Sequence, residues 1–318
     1  MQDDANVFKP NLKDLSLDDW TAAMAKLGRQ YGLYESLGDK HSALFIDEGE
    51  TLLVTFETVE NIRETYETGE PVGFELVRAT GWSHLCLMTQ GDTWFRDADM
   101  YDFFDRLGDD GFFDNFENVV FYGSGMCGYA ACAFSVAAPG CTVVALQPQA
   151  TLDPRITGWD DRFAKHRRLS FDDRYGYAPD MIDAAGQAFV LFDPTHRDEF
   201  AQAALFTKDH VTLVRCPHVG QQMEEDLIDM QVLYRILAQA GTGKLSAKVI
   251  HALMRARRRH LPSLRRQLAW MDAQDKPYQT AKLCRAILQD VKMPMARKRL
   301  QRLMDNGVEL PPALREQA

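Results

Sequence analysis

Short apolar runs of four to six residues recur between positions 42 and 240, separated by glycine-bearing turns and by longer stretches with apolar residues at helical spacing. The run Asn118-Val-Val-Phe-Tyr ends at Gly123, and from Gly128 onward Ala130, Ala131, Ala133 and Ala137 give a small-residue face. That pattern predicts a buried strand, a turn too sharp for ordinary side chains, and a helix that packs tightly on a sheet. Upstream, residues 43–46 and 52–56 read as two strands of a hairpin around an acidic glycine turn, and Ser83-His-Leu-Cys-Leu-Met as a further strand. Leu17 to Tyr31 has helical spacing behind a cap at Ser16 or Asp14, and Met100, Phe103, Phe104 and Leu107 mark an amphipathic helix after Trp94. Residues 57–70 read as loop or helix. Downstream, strands at 141–146, 189–192 and 211–215 alternate with helices at 199–206 and 223–240. Alternation of this kind predicts an α/β domain with a mostly parallel sheet, helices on both faces and functional groups at the carboxyl ends of the strands.

Residues 150–187 break the rhythm. Asp153, Arg155, Asp160, Asp161, Arg162, Arg167, Arg168, Asp172, Asp173 and Arg174 alternate in sign, with Trp159, Tyr175 and Tyr177 between them. Such a stretch predicts a surface excursion or lid, with Arg155, Trp159, Arg174 and Tyr175 shaping a substrate site. The expected organisation is an N-terminal helical segment (1–40), the α/β domain (41–240) and a helical C-terminal region (241–318). Helices in that region are expected at 248–259, 264–270, 277–289 and 295–304. Leu268, Trp270, Tyr278, Ala281 and Ala286 loosely resemble one tetratricopeptide-type helix pair, without a second copy.

Charge sharpens this division. Residues 241–318 carry 17 Lys and Arg against 6 Asp and Glu, a balance of +11, which leaves −21 on residues 1–240. A basic tail on an acidic body is expected to dock there or to bind a protein partner. The run Arg255-Ala-Arg-Arg-Arg-His lacks interleaved aromatics, so nucleic acid is not an expected partner. The 46% hydrophobic content suffices for a large core, and no apolar run is long enough to span a bilayer. The opening Met-Gln-Asp-Asp lacks a signal-peptide pattern. The six cysteines are scattered without C-x-x-C spacing, most of them in apolar runs, which leads to the expectation of reduced thiols and a cytoplasmic location.

The glycine turn admits two registers. Gly123-Ser124-Gly125-Met126-Cys127-Gly128 is a literal G-x-G-x-x-G, but a dinucleotide site needs an acid at the end of the next strand. Here that strand runs into Gln147-Pro-Gln-Ala, and the first acid is Asp153. A nucleophile elbow instead needs an acid after a later strand and a histidine after the last one, in that chain order. Asp193, with Asp198 as a rival, and His218 meet that order, with 68 residues from Gly125 to Asp193 and 25 from Asp193 to His218.

On these residues the chain resembles the α/β-hydrolase superfamily over about residues 42–240. The resemblance implies a nucleophile at Gly125, an oxyanion-hole amide at Met126 and a second amide from the loop near Phe56-Glu57-Thr58. It also implies an acid at Asp193 or Asp198 and a base at His218. Gly125 has no side chain, Ser124 occupies the variable position, and Cys127 stands where the family has glycine. A triad without its nucleophile keeps only about 10³–10⁴-fold catalysis over water. The expectation is therefore a hydrolase-fold protein that has lost its serine and serves as a ligand-binding or interaction protein. The alternative is a hydrolase or transferase in which His218 acts as general base on water or a substrate hydroxyl. Amides at the Gly125–Met126 helix start suit a small anionic or ester-like ligand. No cofactor or metal is expected, since Cys216 and His218 are isolated. His84 reads as structural and His196 as exposed.

Three runs, Phe121-Tyr-Gly-Ser-Gly, Gln147-Pro-Gln-Ala-Thr-Leu-Asp-Pro-Arg and Arg174-Tyr-Gly-Tyr-Ala-Pro-Asp-Met, resemble a bacterial group often labelled phosphoadenosine phosphosulfate reductase. That label implies thioredoxin-dependent reduction through a cysteine in a Glu-Cys-Gly-Ile-His type tail. Here the last cysteine is Cys284, in Lys-Leu-Cys-Arg, so the motifs do not support the label.

Overall fold

The computed structural model describes residues 12–311. Its strands are β1 (Gly32–Leu37), β2 (His41–Ile46), β3 (Thr51–Thr58), β4 (Ser83–Thr89), β5 (Asn118–Ser124), β6 (Thr142–Leu146), β7 (Gln187–Phe192) and β8 (Val211–Arg215). They form one sheet in the order β1-β2-β4-β3-β5-β6-β7-β8. β2 is antiparallel to both β1 and β4, and all neighbours from β4 to β8 are parallel. β5 is buried on both faces, with Phe121 in one core layer and Val120 and Tyr122 in the other. Burial on both faces is why its sequence reads as a continuous apolar run rather than an alternating one.

Two expectations about the first strands need correction. Residues 43–46 and 52–56 do not pair with each other, because β4 lies between them. The hairpin is instead β1–β2, around Gly38 at φ +64. Apolar alternation shows which face of a strand is buried but not which strand lies beside it. β1 also falls inside the stretch expected to be only helical, so the sheet begins at Gly32 rather than after residue 40. It is an edge strand, mostly exposed, and lacks the apolar run by which buried strands are recognised.

The helices are α1 (Leu17–Tyr31), α2 (Gly73–Thr80), α3 (Ala98–Asp109), α4 (Met126–Phe134), the single turns α5 (Pro154–Thr157) and α6 (Ala178–Met181), α7 (Arg197–Ala204), α8 (Met223–Asp229), α9 (Val232–Gly241), α10 (Ala247–Leu253), α11 (Leu261–Ala273), α12 (Pro277–Asp290) and α13 (Pro294–Asp305). Ser16 caps α1 as expected, its hydroxyl accepting from the Asp19 amide at 3.1 Å. The expected helix over 223–240 is two helices, broken at Gln231, where φ is +56. α3 and α4 cover one sheet face over Phe56, Phe104, Phe121 and Phe134. The second face carries α8 and α9 over Leu53, Val120, Tyr122 and Val144, and α1 and α2 bury Trp20, Met24 and Phe74 against β2 and β4.

Residues 150–187 are not a loose flap. Phe163 meets Trp94 edge-on at 5.0 Å, Phe171 meets Tyr129 at 5.5 Å, and Tyr175 stacks on Phe134 at 4.6 Å. Their alternating charges are spent on ion pairs such as Arg162–Asp160 at 2.7 Å and Arg174–Asp102 at 3.0 Å. The basic tail docks on the acidic body. The Arg257 guanidinium donates to the Pro217 carbonyl at 2.9 Å, and Arg266 pairs with the buried Asp226. α11–α13 enclose a small core of Leu264, Leu268, Cys284, Ile287, Met293 and Ala296. No helix among the described residues is long and apolar enough to cross a membrane.

Candidate functional site

The turn after β5 has the backbone of a sharp elbow. Gly125 lies at φ +57, ψ −121; its N–H donates to the Leu146 carbonyl at 2.8 Å and its carbonyl accepts from Tyr129 N–H at 2.9 Å. A Cβ on Gly123 would lie 2.2 Å from the Cys127 carbonyl oxygen, so that glycine lets the helix fold back onto its own strand. A Cβ on Gly125 would meet nothing within 4 Å. The turn thus offers an open place for a side chain where the chain carries none. Ser124 ends β5, half-buried and paired in register with Leu146. Met126 opens α4, and its Sδ accepts from the Trp94 amide at 3.1 Å.

Backbone bonds tie the neighbouring strand ends together. Gln147 N–H donates to the Leu191 carbonyl at 2.7 Å, Cys216 N–H to Phe192 at 2.8 Å, and the Gln147 side-chain amide to the Gly220 carbonyl at 3.0 Å. Asp193 sits in this seam, fully buried. One carboxylate oxygen accepts from the Thr195 amide and hydroxyl at 2.9 and 2.7 Å, the other from the Gly220 amide at 2.9 Å. Burial alone would raise its pKa, but these bonds and the His218 amide outweigh that and hold the carboxylate below its ordinary range. Asp193 therefore fixes the shape of the β8 loop, and none of these bonds goes to the His218 ring.

His218 is half-buried at φ +63, with its ring 4.2 Å from that of Trp270 on α11. Its Nδ1 is buried without a hydrogen-bond partner. Burial lowers its pKa; the Asp193 charge opposes this and Arg257 adds to it. Asp198, half-buried in the first turn of α7, acts through its charge on Arg162. His196 is exposed, with Nε2 4.0 Å from Asp193.

The remaining expected residues are dispersed. β3 continues through Thr58, so Phe56 and Glu57 are strand residues in register with Leu87 and Met88 and not a loop facing the elbow. Phe56 is packed among Phe95, Phe104 and Phe134, and Glu57 is buried with its carboxylate on Thr55 and the Val72 amide. Arg155 pairs with Asp153 and Asp172, Arg174 with Asp102 and Asp105, and the Tyr175 hydroxyl donates to Asp105 at 2.5 Å. Trp159 is 43% exposed. Among the described residues none of these four has a hydrogen bond or ion pair to residues 123–128. Cys127 is buried, and burial raises its thiol well above its ordinary range, which disfavours the thiolate. Cys284 is likewise fully buried, and its pKa is raised by burial.

Sequence reasoning passed over a polar cluster under the sheet's second face. Tyr122 O–H donates to Glu224 at 2.5 Å, and burial pushes the Glu224 carboxyl up to about 7. The triplet Glu224-Glu225-Asp226 reads as a solvated helix start, yet Glu224 and Asp226 are both buried. A tyrosine in the middle of the β5 run was the available signal, since a buried phenol demands a partner.

No protein-family model matches this chain, and no curated protein matches it by sequence. Among solved structures it is similar to Est1E from Butyrivibrio proteoclasticus, with 16% identity and a TM-score of 0.42 over 65% of this chain and 98% of that one. It is also similar to an esterase from Pyrobaculum calidifontis (14% identity, TM-score 0.44, 72% and 92% covered). A third is the capsule O-acetyltransferase of Neisseria meningitidis serogroup A (11% identity, TM-score 0.43, 67% and 99% covered). The likeness concerns architecture alone. The sheet, its helical layers and the Gly125 turn make this an α/β-hydrolase-like fold.

Proposed function

We propose that this α/β-hydrolase-fold protein has lost its serine nucleophile and acts by binding a small anionic or ester-like ligand over the Met126 amide at the start of α4, beside the Gly125 turn. The observation that carries this reading is the elbow itself, whose backbone and open space are intact while residue 125 has no side chain. Two further features support it. The Asp193 carboxylate is committed to Thr195 and Gly220, and the His218 ring lies against Trp270. A histidine with no carboxylate hydrogen-bonded to its ring lacks a fixed tautomer.

The test is hydrolysis of short-chain p-nitrophenyl esters by the wild type, His218→Ala, Gly125→Ser and the double variant. The wild type should match His218→Ala at background rate, and Gly125→Ser should gain a rate that falls again when His218 is removed. Wild-type turnover that drops about 100-fold in His218→Ala would reject the non-catalytic reading, since that is the scale of a general base. It would favour the second reading, general-base chemistry at His218 on water or a substrate hydroxyl. One observation speaks for that alternative: the ring keeps a buried Nδ1 with no partner, and burial lowers its pKa, which favours the neutral imidazole a general base needs.

A further inference from the structure

Four polar side chains meet on one face of two adjacent parallel strands. Thr55 and Glu57 stand two apart on β3, His84 and Cys86 two apart on β4, and Thr55 is in register with Cys86. A period of two puts each pair on the same side of the sheet. All four are at most 3% exposed. One nitrogen of His84, Sγ of Cys86 and a carboxylate oxygen of Glu57 lie within 4.8 Å of one another. The Cys86 Sγ–Glu57 Oε1 separation is 3.5 Å. Bonds of about 2.0–2.2 Å to oxygen and about 2.3 Å to sulfur in a tetrahedron give an O···S edge of about 3.5 Å.

We propose that Glu57, His84 and Cys86, with the Thr55 hydroxyl beside them, form a buried site for one zinc-class divalent cation. Their donor set is one oxygen, one nitrogen and one sulfur, the mixture that a borderline-soft ion such as Zn²⁺ takes and that Mg²⁺ or Ca²⁺ does not. Glu57 and Cys86 bind as carboxylate and thiolate, so a divalent ion makes the buried site neutral, and the protons they held leave to solvent.

Three surrounding features fit this reading. His84 Nε2 lies 2.9 Å from Thr55 Oγ1, which donates to Glu57 Oε1 at 2.6 Å, while His84 Nδ1 is buried without a partner. The Thr55 hydroxyl links the His84 ring to the Glu57 carboxylate, and whichever ring nitrogen takes the ion leaves the other to carry the proton. The second oxygen of Glu57 is held by the Val72 amide at 3.0 Å, and Gly73 gives the ring its space, since a Cβ there would lie 2.3 Å from His84 Nε2. Val72 lines a cavity of about 590 Å³ whose rim carries Glu67, Glu70, Glu75, Glu225 and Asp229 against Arg78, a field that gathers cations next to the cluster.

The experiment is elemental analysis of the full chain, purified without chelators from zinc-supplemented cells, followed by cobalt exchange. About one zinc per chain and a thiolate-to-cobalt charge-transfer band in the near ultraviolet are expected. Cys86→Ser should abolish the band and lower zinc occupancy about tenfold or more, with Cys216→Ser as the thiol control that changes neither. Wild-type protein with under about a tenth of a zinc per chain and no cobalt–thiolate band would overturn the proposal and leave a hydrogen-bonded polar cluster. Both wild-type readings decide the matter even if Cys86→Ser fails to fold. Neither depends on the ester assays, so this inference and the proposed function stand or fall separately.

Discussion

At the residue scale, the two glycines flanking Ser124 differ in why they are glycine. Gly123 is a packing requirement, because a methyl there would lie 2.2 Å from a backbone oxygen that cannot move without shifting α4. Gly125 has space around it, and its cost is conformational, set by φ +57. Gly123→Ala is therefore expected to lose about 3 kcal/mol in urea unfolding, at the upper end for overpacking, and Gly125→Ala about 1 kcal/mol, at the lower end for backbone strain. Equal losses at the two positions would show that steric contact with α4 is not what requires Gly123. The same contrast explains why Gly125→Ser is a usable probe of the elbow and any substitution of Gly123 is not.

At the element scale, α8 places Glu224 where water cannot reach it. Its folded pKa of about 7 lies above the ordinary value of 4.5 because of burial, which the Tyr122 and Tyr66 hydroxyls only partly offset. The folded chain thus holds this proton more tightly than the unfolded chain. Its contribution to stability is fully present below pH 4.5 and is lost as pH rises through 7. With no ion between β3 and β4, Glu57, raised by burial despite its bonds from Thr55, Val72 and Cys86, acts in the same direction. His84 acts oppositely, since burial lowers it to about 3 and its contribution is lost as pH falls below 6.5. The net slope therefore mixes both, and the informative quantity is a difference between proteins. Relative to wild type, Glu224→Gln should gain about 2.5 kcal/mol between pH 5 and pH 8 in denaturant titrations. Parallel pH profiles for the two proteins would place Glu224 in a far wetter setting than its burial indicates.

At the scale of the whole molecule, the opposed charges of body and tail meet at one buried carboxylate. Asp226 on α8 accepts from Ser263 at 3.1 Å, pairs with Arg266 and lies 3.9 Å from His260. Arg266 is 31% exposed, so losing Asp226 costs less than the about 3–5 kcal/mol of breaking a fully buried pair. Asp226→Ala is expected to loosen α10–α13 from the sheet domain, read as faster amide exchange in α11 and earlier protease cleavage near Gly243. Unchanged exchange in α11 would mean that the apolar contacts, Trp270 on His218 among them, suffice to hold the tail. Because Trp270 closes over His218, the tail also belongs to the surroundings of the candidate site.

Much of the order of elements was legible from local pattern. β8 was read at its observed bounds, α1 likewise with its Ser16 cap, and β5, the Gly125 turn and α4 stood out because a sharp strand-to-helix turn demands glycine whatever surrounds it. β1 and α2 escaped, the first because an exposed edge strand has no apolar run, the second because it follows a polar stretch that masks its start. The site was legible only as a chain order of Gly125, Asp193 and His218. Chain order cannot say that the Asp193 carboxylate turns to Thr195 and Gly220, or that a tryptophan 52 positions downstream of His218 lies against its ring.

By itself, the sequence determined most of the elements, the sharp glycine turn after β5 and the charge divided between body and tail, because each depends on neighbours a few residues apart or on a simple sum. Tertiary structure alone decided which strands are neighbours, and with that the meeting of Thr55 and Glu57 with His84 and Cys86 across the β3–β4 register. Side-chain alternation repeats every two residues on every strand, so it marks a face but carries no address for the partner; only packing the sheet supplies one.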